Sequence, residues 1–297
     1  MINSAENTAY SNNIASHRIL SLSAGVNRQK SAPIRRFFIC CLLWIATPAA
    51  NAQTEAVDKA ACNTNDYQEQ VTVKQVIDGD TVILTDGRHI RLIGINTPEI
   101  GHDNRKSEMG ADQARDFLSR LLNTNKNLLL HFDDDKTDHY GRTLAHLFLH
   151  DGTNIQSLLL KRGLATTFFI PPNIDFLECY HASVMYARAH HIGLWALKQY
   201  QPVSAETVYA NVPGYHIVYG TVKRIGESES SIWINLAKNM AIRITSDDLQ
   251  YFDRNLIMSL NGKRIIASGW VYFANGEFRM RIRHPVDMEL METPDSD

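Results

Sequence analysis

His89-Ile90-Arg91-Leu92-Ile93-Gly94-Ile95-Asn96-Thr97-Pro98-Glu99 is the stretch on which the fold turns. Ile90 and Leu92 occupy one parity and Ile93 and Ile95 the other, so a strand over His89–Ile95 is expected to be covered on both faces. Arg91 sits inside it. A charge on a half-buried strand costs several kcal/mol unless paired, so Arg91 needs an anion, either a protein carboxylate or a substrate phosphate. Pro98 steers Thr97 away from helix and fixes the exit angle of the chain. Glu99 is the first acid after this elbow. That placement suits a general base aimed at one spot, and equally suits a surface acid.

Upstream, residues 71–77 and 81–84 read as strands, and Thr85-Asp86-Gly87-Arg88 as a hairpin turn. Asp78-Gly79-Asp80 lies between those first two strands. It is either a turn with two solvated acids or a hard-cation ligand at a strand start. Downstream, Ala111, Ala114, Phe117, Leu118, Leu121 and Leu122 give helical spacing over 108–122. Strands are expected over Leu128–Phe132 and Thr143–Leu149. A short helix over Asn154–Arg162 is stopped at Gly163. A longer one over 174–191 carries Leu177, Tyr180, Val184 and Ala187 and closes at Gly193. Together these make a small, mostly antiparallel barrel with three helices. Asp133-Asp134-Asp135 reads as a hairpin tip. Arg142, at the mouth of the following strand, can offer a planar fork to phosphate or be an exposed turn arginine. His146, His150, His190 and His191 lack metal-like partners and read as structural or surface residues.

Gln199–Pro202 reads as a linker. Beyond it, strands are expected over His216–Arg224, Ser231–Leu236, Ala241–Thr245, Arg264–Phe273 and Glu277–His284, with a short helix near 246–259. Five strands and one helix over 203–297 suggest a second small barrel of the OB type. Arg279, Arg281 and Arg283 alternate with Met280 and Ile282, which places three guanidinium groups on one strand face. With Trp233, Trp270, Tyr272 and Phe273 nearby, this face is either a platform for single-stranded nucleic acid or a solvated outer face with the aromatics in the core.

Composition bounds the class. Hydrophobic residues are 44% and charged residues 21% of 297, which excludes a disordered chain. Four Cys exclude a disulfide-dense scaffold. A formal charge of −2 excludes a uniformly cationic coat but not a local basic site. Arg35-Arg36, the apolar run Phe37–Ala46, and Ala49-Ala50-Asn51-Ala52 read as a secretory leader over 1–52, followed by a polar tail over 53–70. The leader carries five basic residues and one acid, so its removal moves the formal charge to −6. Two cysteines then remain, Cys62 and Cys179, which pair or stay as thiols.

Asp-Gly-Asp-Thr at 78–81, Arg-Leu-(x)3-Asn-Thr-Pro-Glu at 91–99 and Asp-(x)-Tyr-Gly-Arg at 138–142 occur in an order that resembles the staphylococcal nuclease (thermonuclease) family. The resemblance runs over about residues 71–197 and extends to Gly163-Leu164-Ala165 and Gly193-Leu194-Trp195. It implies a mainly β fold with α, in which a five-stranded OB barrel with three helices fills 71–198. It implies Ca2+ as cofactor, with Asp80 and the Thr97 carbonyl as ligands. It also implies Glu99 as the base that activates water, and Arg91 and Arg142 as the grip on the scissile phosphate. Where the family usually has a second aspartate, this chain has Asn96. An amide oxygen brings no charge, so calcium is expected to bind more weakly, or another divalent metal to serve. Tyr140 matches a substrate-side tyrosine. Phe168 and Phe169 replace tyrosines. Phe168 can still stack on a base, and both can simply pack in the core. The loop Gly101–Met109, with His102, Arg105 and Lys106, matches a basic loop beside the site.

The function implied is hydrolysis of phosphodiester bonds in DNA or RNA by a periplasmic or secreted monomer with no membrane anchor after leader removal. The alternative is a non-catalytic nucleic-acid-binding protein with a weakened metal site. An envelope interaction protein on a borrowed fold is a third reading.

Overall fold

The computed structural model describes residues 62–101, 106–210 and 214–291. The expected leader, the tail before Cys62, and His102 and Arg105 of the basic loop lie outside these residues. Among the described residues, no helix is long and apolar enough to cross a membrane.

The chain enters through β1 (Glu69–Val76), which buries Val71 and Val73, and returns as β2 (Thr81–Leu84). The turn to β3 (His89–Leu92) forms as expected. Gly87 takes φ 91°, and Asp86 accepts from the Arg88 amide at 2.9 Å. The strand expected over His89–Ile95 is two strands. Gly94, at φ 79°, turns the chain out of the barrel, and β4 (Gly94–Asn96) pairs instead with a later strand. A Cβ at Gly94 would lie 2.8 Å from the Tyr180 ring and 2.9 Å from Phe169. Only glycine meets both the backbone angle and the space.

Helix α1 (Ala111–Thr124) starts after Gly110 and buries Ala111, Ala114, Leu118 and Leu122. Strands β5 (Asn127–His131) and β6 (Thr143–Phe148) complete a closed barrel in the order β1-β2-β3-β6-β5. Helix α2 (Ile155–Lys161) is capped by Asn154, whose side chain accepts from the Ser157 amide at 2.8 Å. Strand β7 (Thr166–Phe168) partners β4. Helix α3 (Leu177–Ala189) begins three residues later than its periodicity suggests, because Phe176 takes a left-handed φ of 60° and Asp175 is used in the network below. A disulfide joins Cys62 to Cys179 on α3, with Cα atoms 5.5 Å apart.

A polar network lies behind the barrel. The Tyr180 hydroxyl accepts from Asn154 Nδ2 at 3.0 Å and lies 2.8 Å from His146 Nδ1. His146 is fully buried, and burial lowers its pKa. Asp133 is no solvated hairpin tip. Its carboxylate is 6% exposed, accepts from the Asp175 and Asp134 amides, and lies 3.8 Å from His146 Nε2. His131 Nε2 is 2.8 Å from Asp175. Burial opposes the charged His131 ring, but the Asp175 carboxylate and the Asp66 carbonyl outweigh it and raise its pKa.

The expected linker is instead a 3-10 turn, Lys198–Tyr200, with Tyr200 buried. Tyr200 packs with Trp195 at 5.7 Å and Tyr215 at 6.1 Å between ring centres. After β8 (Val203–Ser204) come β9 (Gly214–Thr221), β10 (Arg224–Ser228), β11 (Ser231–Ala237) and β12 (Met240–Thr245). Helix α4 (Arg254–Met258) is capped by Asp253, and β13 (Arg264–Ala274), β14 (Glu277–Arg281) and β15 (Met288–Leu290) follow. These strands form one sheet, ordered β10-β11-β12-β14-β13-β9-β8, with β15 beside β13. The sheet holds eight strands rather than five. The chain breaks between Thr221 and Arg224 to make β10, and β8 and β15 are too short to show a pattern. Ile232, Ile234, Ile242, Ile244, Val271 and Met280 form its core.

Two outcomes test this packing. Gly94→Ala is expected to destabilise the protein by about 1–3 kcal/mol, through both the left-handed backbone and the crowding of Tyr180, read from urea unfolding. The pairing that raises the His131 pKa stabilises the fold below that residue's ordinary pKa and is lost as pH rises through the folded value. Asp175→Asn is therefore expected to cost about 1 kcal/mol near pH 5.5 and less near pH 8. Equal losses at the two pH values would contradict the assignment.

Candidate nuclease site

The elbow Asn96-Thr97-Pro98-Glu99 leaves β4 beside the Asp78-Gly79-Asp80 turn, and the two segments are locked together by Asp80. This carboxylate is 5% exposed. Its Oδ2 accepts from the Thr97 amide at 2.8 Å and the Thr97 hydroxyl at 3.2 Å, and its Oδ1 accepts from the Thr81 hydroxyl at 3.1 Å. Gly79 permits the approach, because a Cβ there would stand 2.7 Å from Thr97 Cγ2 and from Ala114 Cβ on α1.

The anion that Arg91 requires is a protein carboxylate. Its guanidinium lies 3.2 Å from Asp80 Oδ2. It also donates to the carbonyls of Leu92 at 2.7 Å and Ile95 at 3.0 Å and to Asn96 Oδ1 at 3.0 Å. Asn96 in turn donates from Nδ2 to the Thr97 carbonyl at 3.1 Å. Asp80, Arg91, Asn96 and Thr97 are thus one hydrogen-bonded knot.

Glu99 is exposed at the rim of this knot. Partial burial raises its pKa, and the Asp80 carboxylate adds to the rise. Arg91 and Arg142 pull in the opposite direction, so all three charges lie within electrostatic reach of Glu99. Asp78 is pushed up to about 6, first by burial and then by Asp80. Glu108 was not singled out by sequence reasoning. It accepts from the Glu99 amide at 3.0 Å, and its own amide donates to the Glu99 carbonyl at 2.9 Å, which fixes the backbone of the residue.

Arg142 is held by Asp138. Its Nε donates to Asp138 Oδ2 at 2.7 Å, while Asp138 Oδ1 accepts from the amides of Tyr140 and Arg142. Tyr140 is 73% exposed, with the Arg142 guanidinium 5.5 Å from its ring centre. Phe168 is half-buried on β7, whereas Phe169 is buried against Tyr180 and belongs to the core. Lys106 is the described member of the expected basic loop.

Arg279, Arg281 and Arg283 are carried by the other sheet. Arg279 lies over Trp233, Arg281 pairs with Asp248 at 2.7 Å, and Arg283 falls beyond the end of β14.

Among the described residues, no group of three or more His, Cys, Asp and Glu could hold a metal ion. The knot is a different type of donor set: one carboxylate, one amide oxygen and one main-chain carbonyl. All three are hard oxygen donors of the kind calcium takes, so the chemistry of the set fits a hard cation. It offers one negative charge fewer than two aspartates would.

The sequence model described as staphylococcal nuclease homologue matches residues 89–197. The thermonuclease of Staphylococcus intermedius is 37% identical over 131 residues, covering 43% of this chain and 76% of that protein. The thermonuclease of Staphylococcus hyicus is 34% identical over 141 residues, covering 46% of this chain and 82% of the relative. Endonuclease YncB of Bacillus subtilis is 31% identical over 135 residues, covering 44% and 63%. The closed five-strand barrel, the elbow beside it and these similarities lead to one conclusion: the chain belongs to the staphylococcal nuclease family.

Proposed function

We propose that this protein is a nuclease that hydrolyses phosphodiester bonds of nucleic acid with the aid of a divalent cation, calcium by preference. The observation that carries the reading is the shared neighbourhood of Asp80, Arg91, Asn96 and Thr97 with Glu99, whose carboxyl feels Asp80, Arg91 and Arg142 at once. Asp80, the Asn96 amide oxygen and the Thr97 carbonyl would hold the cation, which when bound supplies positive charge to the phosphate undergoing attack. Glu99 orients a water and takes its proton as the water oxygen bonds to phosphorus and the bond to the leaving sugar oxygen breaks. Arg91 and Arg142 would meet the equatorial oxygens, where negative charge grows; Arg142 is held by Asp138, and Arg91 by two main-chain carbonyls, Asn96 and Asp80. Tyr140 and Phe168 offer rings to the adjoining bases.

The leader-like sequence over 1–52 and the Cys62–Cys179 disulfide support export to an oxidising compartment, the periplasm or the exterior.

A second reading, binding without hydrolysis, is favoured by Asn96, which gives the cation an uncharged donor. Glu99→Gln is expected to lower cleavage of single-stranded DNA in calcium by about 10² to 10⁴-fold, and equal rates in the two proteins would remove Glu99 from the mechanism. Asn96→Asp is expected to tighten calcium binding by about an order of magnitude, measured by calorimetry. If the native chain cleaves nothing in any divalent metal and Asn96→Asp creates activity, the second reading replaces the first.

A further inference from the structure

The outer face of the second sheet carries chemistry that the barrel does not use. β11 sends Ile232, Ile234 and Leu236 into the core and leaves Trp233 and Asn235 on the other side. Cross-strand register then sets the composition of that face. Trp233 stands opposite Arg243, Arg243 beside Arg281, Tyr272 opposite Arg279, and Arg224 opposite Asn235. The guanidinium groups of Arg279 and Arg243 lie 4.7 and 5.3 Å from the Trp233 ring centre. Trp270 shares the parity of Tyr272 and is 37% exposed.

Charge on this face is not balanced internally. Asp248 holds Arg281, and Glu277 approaches Arg279 at 3.4 Å. Arg243 donates from Nε to the Ser231 hydroxyl at 2.8 Å, a neutral partner. Among the described residues, Arg279 and Arg281 each pair with one carboxylate and Arg243 with a neutral hydroxyl, in a chain whose total formal charge is −2. Indole, phenol and guanidinium groups share one surface. Such a surface complements a ligand with flat π-faces and regularly spaced negative charge. A duplex hides its base faces, whereas a single strand presents them.

The face is also continuous with the barrel. On the same side of the sheet, Tyr215 and Ile217 of β9 lie opposite Trp270 and Ser268. Tyr215 packs on Trp195 and Tyr200 of the first body. The basic part begins where that covered part ends, and there Trp270 is exposed while Trp233, Tyr272, Arg243 and Arg279 are half-buried.

We propose that the face formed by Trp233, Trp270, Tyr272, Arg243 and Arg279 binds single-stranded nucleic acid and serves as a second holding site for the polymer whose phosphodiesters the barrel hydrolyses. The class of polymer rests on the nuclease reading, while the binding itself does not. Arg281 and Arg283 contribute less than their spacing suggests, the first because Asp248 holds it and the second because it lies past the strand. Arg243, on β12 and outside the arginine pattern of β14, takes their place.

The full chain is titrated in EDTA against a fluorescein-labelled oligothymidine of about 20 nucleotides, a length that spans several stacking contacts, with anisotropy read over a salt series. Arg243→Ala/Arg279→Ala is expected to bind about tenfold more weakly and to flatten the dependence of log affinity on log salt by about 1.4. Arg243→Lys/Arg279→Lys is expected to keep the slope and lose affinity, since an ammonium does not stack as a guanidinium does. Trp270→Ala is expected to lose affinity with the slope unchanged. The Lys pair and Trp270→Ala also decide the matter if the Ala pair fails to melt cooperatively. Unchanged affinity in these variants, or equally tight binding of a duplex or of heparin, overturns the proposal. Cleavage is measured separately with calcium. Binding that depends on this face without any cleavage removes the nuclease reading alone, and cleavage with face-independent binding removes this proposal alone.

Discussion

Burying the Asp80 carboxylate at 5% exposure would be prohibitive without compensation. Its compensation is also the architecture of the site. The amide and hydroxyl of Thr97 bind the chain leaving β4 to the turn between β1 and β2, and Arg91 ties the same oxygen to the interior of β3. Gly79 gives up a side chain so that α1 can close over the knot through Ala114. Four segments therefore meet around one anion. None of their positions can shift without leaving a charge or a buried N–H unsatisfied.

The same economy recurs around the knot. Each cationic side chain is fixed by oxygens that do not cancel its full reach. Arg91 rests on two main-chain carbonyls as well as on Asp80, and Arg142 rests on a carboxylate that also organises its own turn. Glu99 keeps a rim position, where its backbone is clamped by Glu108 and its carboxyl stays accessible. Asn96 is the element out of keeping with this pattern. It keeps the hydrogen bonds an oxygen at that position would accept, but not the charge.

Much of this was legible in the residues. The barrel strands, the hairpin at Gly87 and the short helix stopped at Gly163 follow from alternation and turn chemistry, which are local. The division of the strand at Gly94 did not show, because its cause is the ring of Tyr180, 86 positions along the chain. Asp133 read only as part of a hairpin tip because its partners His146 and Asp175 come from other elements. For the site, residue types and their order indicated Asp80, Arg91, Thr97 and Glu99. They left open whether Arg91 awaited a phosphate or a carboxylate, and they gave no hint of Glu108. On the second sheet, the period-two arginines share a face with an arginine from another strand that their spacing does not reveal. Trp233 selects Arg279 and Arg243 through register between strands, a relation no single strand displays.

Tyr200 lies in what reads as a joint between two bodies, yet it is buried with Trp195 and Tyr215. Shearing the chain at that joint would strip cover from aromatic rings on both fragments and leave each with a sticky scar. The catalytic half is therefore not a detachable cassette, unlike a domain tethered by a flexible string. Any lineage that discarded the C-terminal sheet would have had to resurface the stump as well.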